Sequence, residues 1–203
     1  MEDEVMQIKF VCDLINAAIL ILVMPFILIG NSMVIMAVIK FRKLRTSMNM
    51  FIASLSVSDM LVAFPTIPLY VVFFVRGEIL RKYKYLCLSR YAFVVASMTG
   101  SIISLTFVSF DRYIAVIHPL HYQTVMTKRR VRYILFGIWV YDVAFSIMPL
   151  AGVNIWQEGM PCEYFRVFPK PYTIFTVPVT LAVCLVLSVS MYVRVFRVAK
   201  QHQ

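Results

Sequence analysis

The sequence predicts an all-α membrane protein, and three observations support this fold class. Apolar residues make up 61% of the 203 residues, and the mean hydropathy is +0.82. Five apolar runs, near 12–40, 48–75, 85–117, 131–153 and 172–198, each reach the about 20 residues that cross a bilayer as a helix. The connections are short and no internal repeat is present. The whole chain, 1–203, is therefore predicted to form a single transmembrane domain.

The charge pattern predicts an orientation in the bilayer. The net charge is +10, but the basic residues lie in short segments between the apolar runs rather than on one soluble face. This pattern is typical of membrane topology and not of nucleic-acid binding. Twelve Lys and Arg lie on one side, in 40–45, at Arg112, in 128–132 and in 194–200, against eight on the other. The excess predicts that the N-terminus is outside and Gln203 inside.

Polar residues interrupt the first two runs. Asn31 places an amide within lipid-length apolar sequence, where an amide commonly bonds a neighbouring helix. The second helix is predicted to begin with Ser47 as its N-cap. Asp59 needs a proton, a cation or hydrogen-bond donors at this depth, so a protonated carboxyl and an ion site both remain open. Pro65 and Pro68 are expected to kink this helix because proline lacks an N–H.

The third run ends in an acid–base pair, Asp111-Arg112, followed by Tyr113. Charges near a bilayer are tolerated when they are paired, hydrated or functional. A pair that simply snorkels to the lipid headgroups is the plain alternative. A partly dehydrated guanidinium seeks a carboxylate, so Arg112 is expected to pair with Asp111.

The fourth and fifth runs carry further signals. Trp139 and Pro149 lie in the fourth run, and Asp142 is expected to be a protonated carboxyl satisfied by a nearby hydroxyl. The fifth run contains Pro178 and ends in Tyr192, which a basic segment follows directly.

These motifs together resemble rhodopsin-like (class A) G-protein-coupled receptors, and the resemblance covers all five runs. Asp111-Arg112-Tyr113, followed by Ile117-His118-Pro119-Leu120 and Tyr122, is similar to the end of the family's third helix and the start of its second intracellular loop. Further matches are Gly30-Asn31 with Val34, Leu55 with Asp59, Trp139, Pro149 and Tyr192. One departure is Cys184, which stands where the family normally places a proline eight residues before that tyrosine.

The resemblance implies five helices of a seven-helix bundle, together with specific site residues. Coupling to a heterotrimeric G protein would involve Asp111, Arg112, Tyr113, Pro119, Leu120 and Tyr192. The family's sodium site would join Asp59 to Ser101, with its remaining ligands on a helix outside these 203 residues. No other cofactor is implied.

A disulfide between Cys87 and Cys162 is predicted. Cys87 lies 25 residues before Arg112 (112 − 87 = 25), which is about 38 Å along a helix and places it across the membrane from Arg112. Cys162 is predicted on the same outer side, where an oxidising compartment favours a disulfide. The same spacing occurs in the family.

The ligand is predicted from the same resemblance. Amine receptors of this family keep an acid 18 residues before the arginine, and here that position is Val94 (112 − 18 = 94). The ligand is therefore not obviously an amine. The adenosine, melanocortin, cannabinoid and lysophospholipid group is the nearest subfamily. The candidate pocket residues, for each of which an ordinary core role is the alternative, are Tyr70, Tyr91, Val94, Val95, Met98, Tyr164, Phe165 and Thr176.

The predicted function is a multi-pass plasma-membrane receptor that senses an extracellular ligand and couples to a G protein when completed by helices six and seven. An ion-coupled transporter or channel subunit that uses Asp59 and Asp142 is one alternative. A non-signalling, truncated receptor that packs against full-length partners is another. An enzyme is not expected, since the chain contains no metal-ligand or nucleophile spacing.

Overall fold

A computed structural model describes residues 2–80 and 83–201, with side chains at 4, 7, 8, 10–74 and 83–200. In chain order the helices are α1 (Glu2–Lys40), α2 (Ser47–Leu61), α3 (Ile67–Leu80), α4 (Lys84–Ile117), α5 (Pro119–Val125), α6 (Lys128–Ile147), α7 (Tyr164–Val167), α8 (Lys170–Phe175) and α9 (Pro178–Gln201). The described residues contain no β-strand, which confirms the all-α prediction. Gln203, which is predicted to lie inside, is outside the described residues.

Four helical segments within the described ranges are long and apolar enough to cross a membrane. They are Phe10–Lys40, Ser47–Phe74, Lys84–Ile117 and Lys170–Lys200. Helix α6 is shorter, begins with a basic cluster and contains Asp142, so its composition alone is less typical of a membrane span. It nevertheless packs against α2 and α4 and completes the group of helices around α4.

A π-helical turn, Val62–Thr66, joins α2 to α3 around Pro65. Because Pro65 has no N–H, the carbonyl of Leu61 loses the donor that a regular helix would provide. The Thr66 hydroxyl donates to that carbonyl at 2.9 Å. The irregularity predicted from the prolines therefore takes the form of a π turn whose freed acceptor is satisfied locally.

The N-terminus of α2 is capped by Thr46, whose hydroxyl accepts from the N–H of Asn49 at 3.3 Å. The prediction that Ser47 caps this helix is therefore wrong. The buried Ser47 hydroxyl instead donates to the carbonyl of Met126, at 2.9 Å. This bond ties α2 to the segment that follows α5.

Small residues allow α2 and α4 to approach closely. A Cβ atom added at Gly100 would lie 2.5 Å from the Ser58 hydroxyl and 3.3 Å from a carboxylate oxygen of Asp142. Buried serines line both helices, including Ser54 on α2 and Ser104 on α4. In lipid, small residues of this kind let backbones pack tightly and let hydroxyls bond across helices.

Two buried clusters lie near opposite ends of α4. The cluster at the disulfide end contains Phe73, Cys87, Leu88, Val167, Phe168 and Tyr172. The cluster at the Arg112 end contains Phe51, Ile114, Met126, Val131 and Ile138. The long helix therefore has a packed core at both ends.

Prolines shorten or divide the last two predicted spans. The run predicted at 131–153 is helical from Lys128 to Ile147 and then turns before Pro149, with Gly152 at φ +120°. The run predicted at 172–198 is divided at Thr176 and Val177, and α9 begins at Pro178. Proline fits the first turn of a helix but disfavours an interior position, because it removes an N–H and clashes with the carbonyl four residues earlier.

Candidate functional site

Asp111 is buried at the end of α4 and takes its hydrogen bond from α5. Its side chain is 1% exposed, and Oδ1 accepts a bond from the Tyr122 hydroxyl at 3.0 Å. Its second oxygen, Oδ2, has no hydrogen-bond partner in the described structure. Burial, followed by the bond to Asp111, raises the pKa of the Tyr122 phenol above its ordinary value. Proline at the first position of α5 directs the chain back toward α4 and so brings Tyr122 to Asp111.

Arg112 does not form the predicted ion pair with Asp111. No ion pair between these two residues is found in the described structure, whereas Arg166 is paired with Glu163 at 2.9 Å. Adjacent helical residues point in different directions, and the exposed Arg112 guanidinium contacts the sulfur of Met48 instead. Asp111 is therefore held by a phenol, and the guanidinium remains accessible.

The other predicted coupling residues surround this end of α4. The Tyr113 hydroxyl accepts a hydrogen bond from Arg194 of α9 at 3.3 Å. Leu120 is 91% exposed, and Pro119 is also exposed beside it. Tyr192 is half-exposed and lines an open cleft of about 500 Å³ along α9 with Val193, Phe196, Arg197 and Lys200.

Asp59 and Ser101 are brought together, as the sodium-site prediction requires. The Ser101 hydroxyl donates to Oδ1 of Asp59 at 3.2 Å. A carboxylate and a hydroxyl are oxygen ligands suited to a hard cation. The pair supplies two of the several oxygens such an ion needs.

The predicted disulfide between Cys87 and Cys162 is confirmed. Their Cα atoms are 5.9 Å apart, and the bond links positions 75 residues apart in sequence. It fixes the segment after α6 to the beginning of α4. This end of the bundle is where most of the candidate pocket residues lie.

Aromatic side chains form a cluster beside the disulfide. The Tyr91 hydroxyl donates to the Cys162 carbonyl at 2.9 Å. The Tyr91 ring lies 5.5 Å from Tyr164 and 5.6 Å from Phe168, in edge-on geometry for both pairs. The hydroxyls of Tyr164 and Thr176 lie 3.0 Å apart. Three of the predicted pocket residues are thus in one connected group.

The remaining pocket candidates are not all in that group. Val95 is 1% exposed and acts as core, whereas Val94 is half-buried. Phe165 is 82% exposed and touches only the edge of the cluster through Tyr164. Met98 is 48% exposed on α4. Tyr70 contacts the cluster indirectly, through Arg90, whose guanidinium lies over the rings of both Tyr70 and Tyr91.

Polar side chains join α2, α4 and α6 in the interior. The Trp139 indole donates to the Ser54 hydroxyl at 3.2 Å, and that hydroxyl lies 3.1 Å from the hydroxyl of Ser104. Asp142 is fully buried and accepts a bond from the Thr99 hydroxyl, while its Oδ2 has no partner in the described structure. These contacts give Trp139 a structural role.

Asn31 and Pro149 form local contacts rather than interhelical ones. The Asn31 amide donates to the carbonyl of Ile27 in its own helix at 3.0 Å. Among the described residues, no bond from Asn31 to a neighbouring helix is present. Pro149 is buried in the turn after α6, where its carbonyl accepts from the Asn154 amide at 2.8 Å.

Several residues of the site were not predicted from the sequence. Tyr122, Arg90, Phe73, Phe168 and Tyr172 all make defining contacts. The predicted runs contain Phe73, Arg90 and Tyr172 but do not reveal their partners, whereas Tyr122 and Phe168 lie outside those runs. Tyr122 was noted as part of the family motif, but the motif did not indicate that it bonds Asp111.

A single 34-residue helix, α4, joins the aromatic cluster beside the disulfide to the Asp111–Arg112 pair. At a rise of 1.5 Å per residue, such a helix spans a bilayer with both interfaces. This arrangement defines a helical membrane protein with candidate sites at the two ends of one spanning helix.

Comparisons with known proteins identify the family. Residues 30–203 match the family described as 7 transmembrane receptor (rhodopsin family). The chain is 36% identical to the alpha-1A adrenergic receptor of Oryzias latipes over 182 residues, which are 87% of the chain and 37% of that receptor. It is 31% identical to octopamine receptor 1 of Lymnaea stagnalis over 180 residues, 88% of the chain and 28% of that receptor. A tyramine receptor of Caenorhabditis elegans is 29% identical over 182 residues, 89% of the chain and 40% of that receptor.

The chain belongs to the rhodopsin family of seven-transmembrane receptors, and it spans less than half the length of these relatives. It is a multi-pass protein of the plasma membrane and not an enzyme. The family assignment removes the support for a transporter. The predicted adenosine-like subfamily finds no support among these relatives, which are named for other ligands.

Proposed function

We propose that this chain carries the ligand-sensing and G-protein-coupling surfaces of a rhodopsin-family receptor. The observation that supports this most is the continuity of α4, which connects the disulfide-anchored aromatic cluster to Asp111 and Arg112. A ligand that changes the packing at one end acts on the same rigid element that presents the guanidinium at the other. Coupling between two sites requires such a physical connection.

The Arg112 end would provide the G-protein contact. Arg112 is exposed and has no carboxylate partner in the described structure, so it can engage a protein that docks there. Beneath that surface, the hydrogen bond from the Tyr122 hydroxyl to Asp111, at 3.0 Å, joins α5 to α4. Tyr113, Pro119, Leu120 and Tyr192 would surround the docking surface. A cytoplasmic position for this end follows from the distribution of basic residues.

The names of the relatives suggest an amine ligand, since they include octopamine and tyramine receptors. A cationic amine needs a counter-ion when it leaves water. Val94 supplies none, and the carboxylate of Glu163 is already paired with Arg166 at 2.9 Å. A ligand that binds as an amine does in those relatives would therefore lack its main electrostatic partner here.

A sodium ion is part of the proposal at Asp59 and Ser101. These side chains would contribute a carboxylate and a hydroxyl oxygen, and further ligands would come from water or from other helices. The bound ion would neutralise the carboxylate of Asp59, and an unneutralised charge at this depth in the membrane is energetically costly.

Nucleotide exchange by a heterotrimeric G protein tests the proposed function. The chain would be co-expressed with a segment carrying the sixth and seventh helices of the alpha-1A adrenergic receptor, and exchange would be measured without ligand. We expect Arg112→Ala to abolish exchange, because the exposed guanidinium is the group proposed to engage the G protein. Arg132→Ala, at an exposed arginine of α6, is the matched control. Exchange by Arg112→Ala equal to that of the parent chain would overturn the proposal.

A further inference from the structure

Asp142 places an acid in the interior of the bundle, where α6 contacts α4. Its side chain is 0% exposed, and its Oδ1 is contacted by the Thr99 hydroxyl of α4. Oδ2 lies 3.3 Å from the position that a Cβ atom at Gly100 would take. Residues 92–110 of α4 contain no acid, base or tyrosine. An ionised carboxylate here would therefore be a buried charge to which α4 supplies no cation, and such a charge is costly.

The Thr99 hydroxyl has two hydrogen-bond neighbours but only one hydrogen. Besides Oδ1 of Asp142, it contacts the carbonyl oxygen of Val95 one turn earlier, at 2.8 Å. A carbonyl oxygen can only accept, whereas a hydroxyl can donate once and accept as well. When Thr99 donates to Val95, its contact with Asp142 becomes a hydrogen bond only if the carboxyl group supplies the second hydrogen. Both contacts are therefore satisfied together when Asp142 is protonated.

Ionised Asp142 requires a second arrangement of the same groups. A carboxylate can only accept, so Thr99 must turn its hydrogen from the Val95 carbonyl to Oδ1. The Val95 carbonyl then keeps the main-chain N–H that a regular helix provides, so this arrangement is also accessible. Oδ2 has no hydrogen-bond partner in the described structure, and an unpartnered oxygen is more costly in a carboxylate than in a neutral carboxyl group. The surroundings therefore favour the protonated arrangement but permit both.

The same turn of α4 also contacts the other buried acid of this region, Asp59 of α2. Two residues after Thr99, the Ser101 hydroxyl donates to Oδ1 of Asp59 at 3.2 Å. Asp59 is thus the titratable group that α2 brings to this part of α4. A change in the hydrogen bonding of Thr99 acts on the helical turn that also holds Asp59.

The titratable groups on the other neighbouring elements are tyrosines. Tyr141, beside Asp142 on α6, has its hydroxyl 3.5 Å from that of Thr180 on α9. Tyr172 of α8 donates to the carbonyl of Phe145 at 3.1 Å. Tyrosine is ordinarily neutral at physiological pH, so neither supplies a charged partner for Asp142.

We infer that Asp142 and Thr99 form a proton-binding site that switches the contact between α4 and α6. With the proton bound, Asp142 donates to the Thr99 hydroxyl, which donates to Val95. When the proton leaves to the solvent, Thr99 donates to Asp142 instead, and the interior gains one negative charge. This inference goes beyond the proposed function, because its ligand is a proton and its site lies between the two ends of α4.

Infrared difference spectroscopy tests the site, because a protonated carboxyl group has a C=O stretching band that a carboxylate lacks. The chain would be reconstituted in nanodiscs of an ether-linked phosphatidylcholine, which contributes no ester carbonyl band. Spectra of the parent chain and of Asp142→Asn would be compared at neutral pH, in H2O and in D2O. The shift in D2O identifies bands from groups that carry an exchangeable proton.

We expect a carboxyl band in the parent chain that is lost in Asp142→Asn and retained in Asp59→Asn and Asp111→Asn, the matched controls at other buried carboxyls. Thr99→Val removes the acceptor of the Asp142 hydrogen, so the band should persist and move to higher frequency. Thr99→Ser keeps a hydroxyl and should leave the band in place. Raising the pH should convert the band of the parent chain to that of a carboxylate.

Three results would each overturn the inference. They are the absence of this band from the parent chain at neutral pH, a band that Thr99→Val does not move, and a band that stays unchanged at every pH at which the protein remains folded. Mapping of the Cys87–Cys162 disulfide would verify that each variant is folded. The infrared measurement needs neither a ligand nor a G protein, so its failure leaves the proposed function intact, whereas normal exchange by Arg112→Ala rejects that function alone.

Discussion

Replacing Tyr122 with phenylalanine should destabilise the Arg112 end of the bundle. The substitution keeps the ring and removes the hydroxyl that donates to Oδ1 of Asp111 at 3.0 Å. Asp111 is 1% exposed, and Oδ2 already lacks a partner in the described structure. Tyr122→Phe therefore leaves a buried carboxyl without any described donor. A hydrogen bond to a charged group contributes about 1.5–3 kcal/mol, so we expect a loss of that size.

Labelling of the buried thiol of Cys184 provides the assay, after Cys12, which is exposed, has been replaced by serine. When opening is in rapid equilibrium, the labelling rate follows the population of the opened state. The expected loss corresponds to labelling faster by about ten- to a hundredfold, at 1.4 kcal/mol per factor of ten. Tyr133→Phe is the matched control, because Tyr133 is 63% exposed. A labelling rate for Tyr122→Phe equal to that of the control would refute the role assigned to this bond.

The same substitution has a defined pH dependence. The pKa of Tyr122 in the folded chain is raised above 10.0, first by burial and then by the bond to Asp111. The folded state therefore holds the phenolic proton more tightly than the unfolded state does. This stabilisation is complete below about pH 10 and is lost as the pH rises through the raised pKa. The difference in stability between parent and Tyr122→Phe should shrink above pH 10, and a constant difference would contradict this reasoning.

Three further predictions concern the packing around α4. Gly100→Ala should lower the free energy of unfolding by about 1–3 kcal/mol, because the added methyl group overpacks against the Ser58 hydroxyl. Adding Ser58→Ala should restore part of that stability in thermal unfolding. If the double variant is no more stable than Gly100→Ala alone, the clash lies elsewhere. Trp139→Phe should lower the free energy of unfolding by about 0.5–1.5 kcal/mol, because it removes the hydrogen bond to Ser54. In a double-mutant cycle with Ser54→Ala, the two losses of stability should be coupled rather than additive. Replacing both Cys87 and Cys162 with serine should lower the free energy of unfolding by about 2–4 kcal/mol, measured by thermal unfolding followed by circular dichroism. An unchanged unfolding temperature would argue against a stabilising disulfide.

Local sequence determined the fold class, the family and the disulfide because each depends on patterns that run along the chain. Apolar length predicts helices, and the Asp111-Arg112-Tyr113 motif with its companions indicates the family. Contacts that depend on how segments fold back were not predictable in this way. Tyr122 reaches Asp111 only because α5 turns beside α4, and the sequence had instead suggested Arg112 as the partner.

Other differences have similarly local physical causes. Asn31 bonds the carbonyl of Ile27 one turn earlier, and no sequence rule distinguishes this from a bond to another helix. Pro178 was noted, but the sequence did not indicate that it divides the last span. In each case the three-dimensional neighbour decided the role of the residue.

Thiol labelling in intact cells tests the central claim most directly, namely that the disulfide end faces outward and the Arg112 end faces the cytoplasm. Single cysteines would be placed at Glu158, an exposed residue in the loop after α6, and at Leu120, which is 91% exposed beside Arg112. Cys12 and Cys184 would be replaced by serine in both variants. We expect a membrane-impermeant reagent to label Glu158→Cys in intact cells and Leu120→Cys only after permeabilisation. Labelling of Leu120→Cys in intact cells, with Glu158→Cys protected, would contradict both the proposed coupling surface and the proposed ligand site.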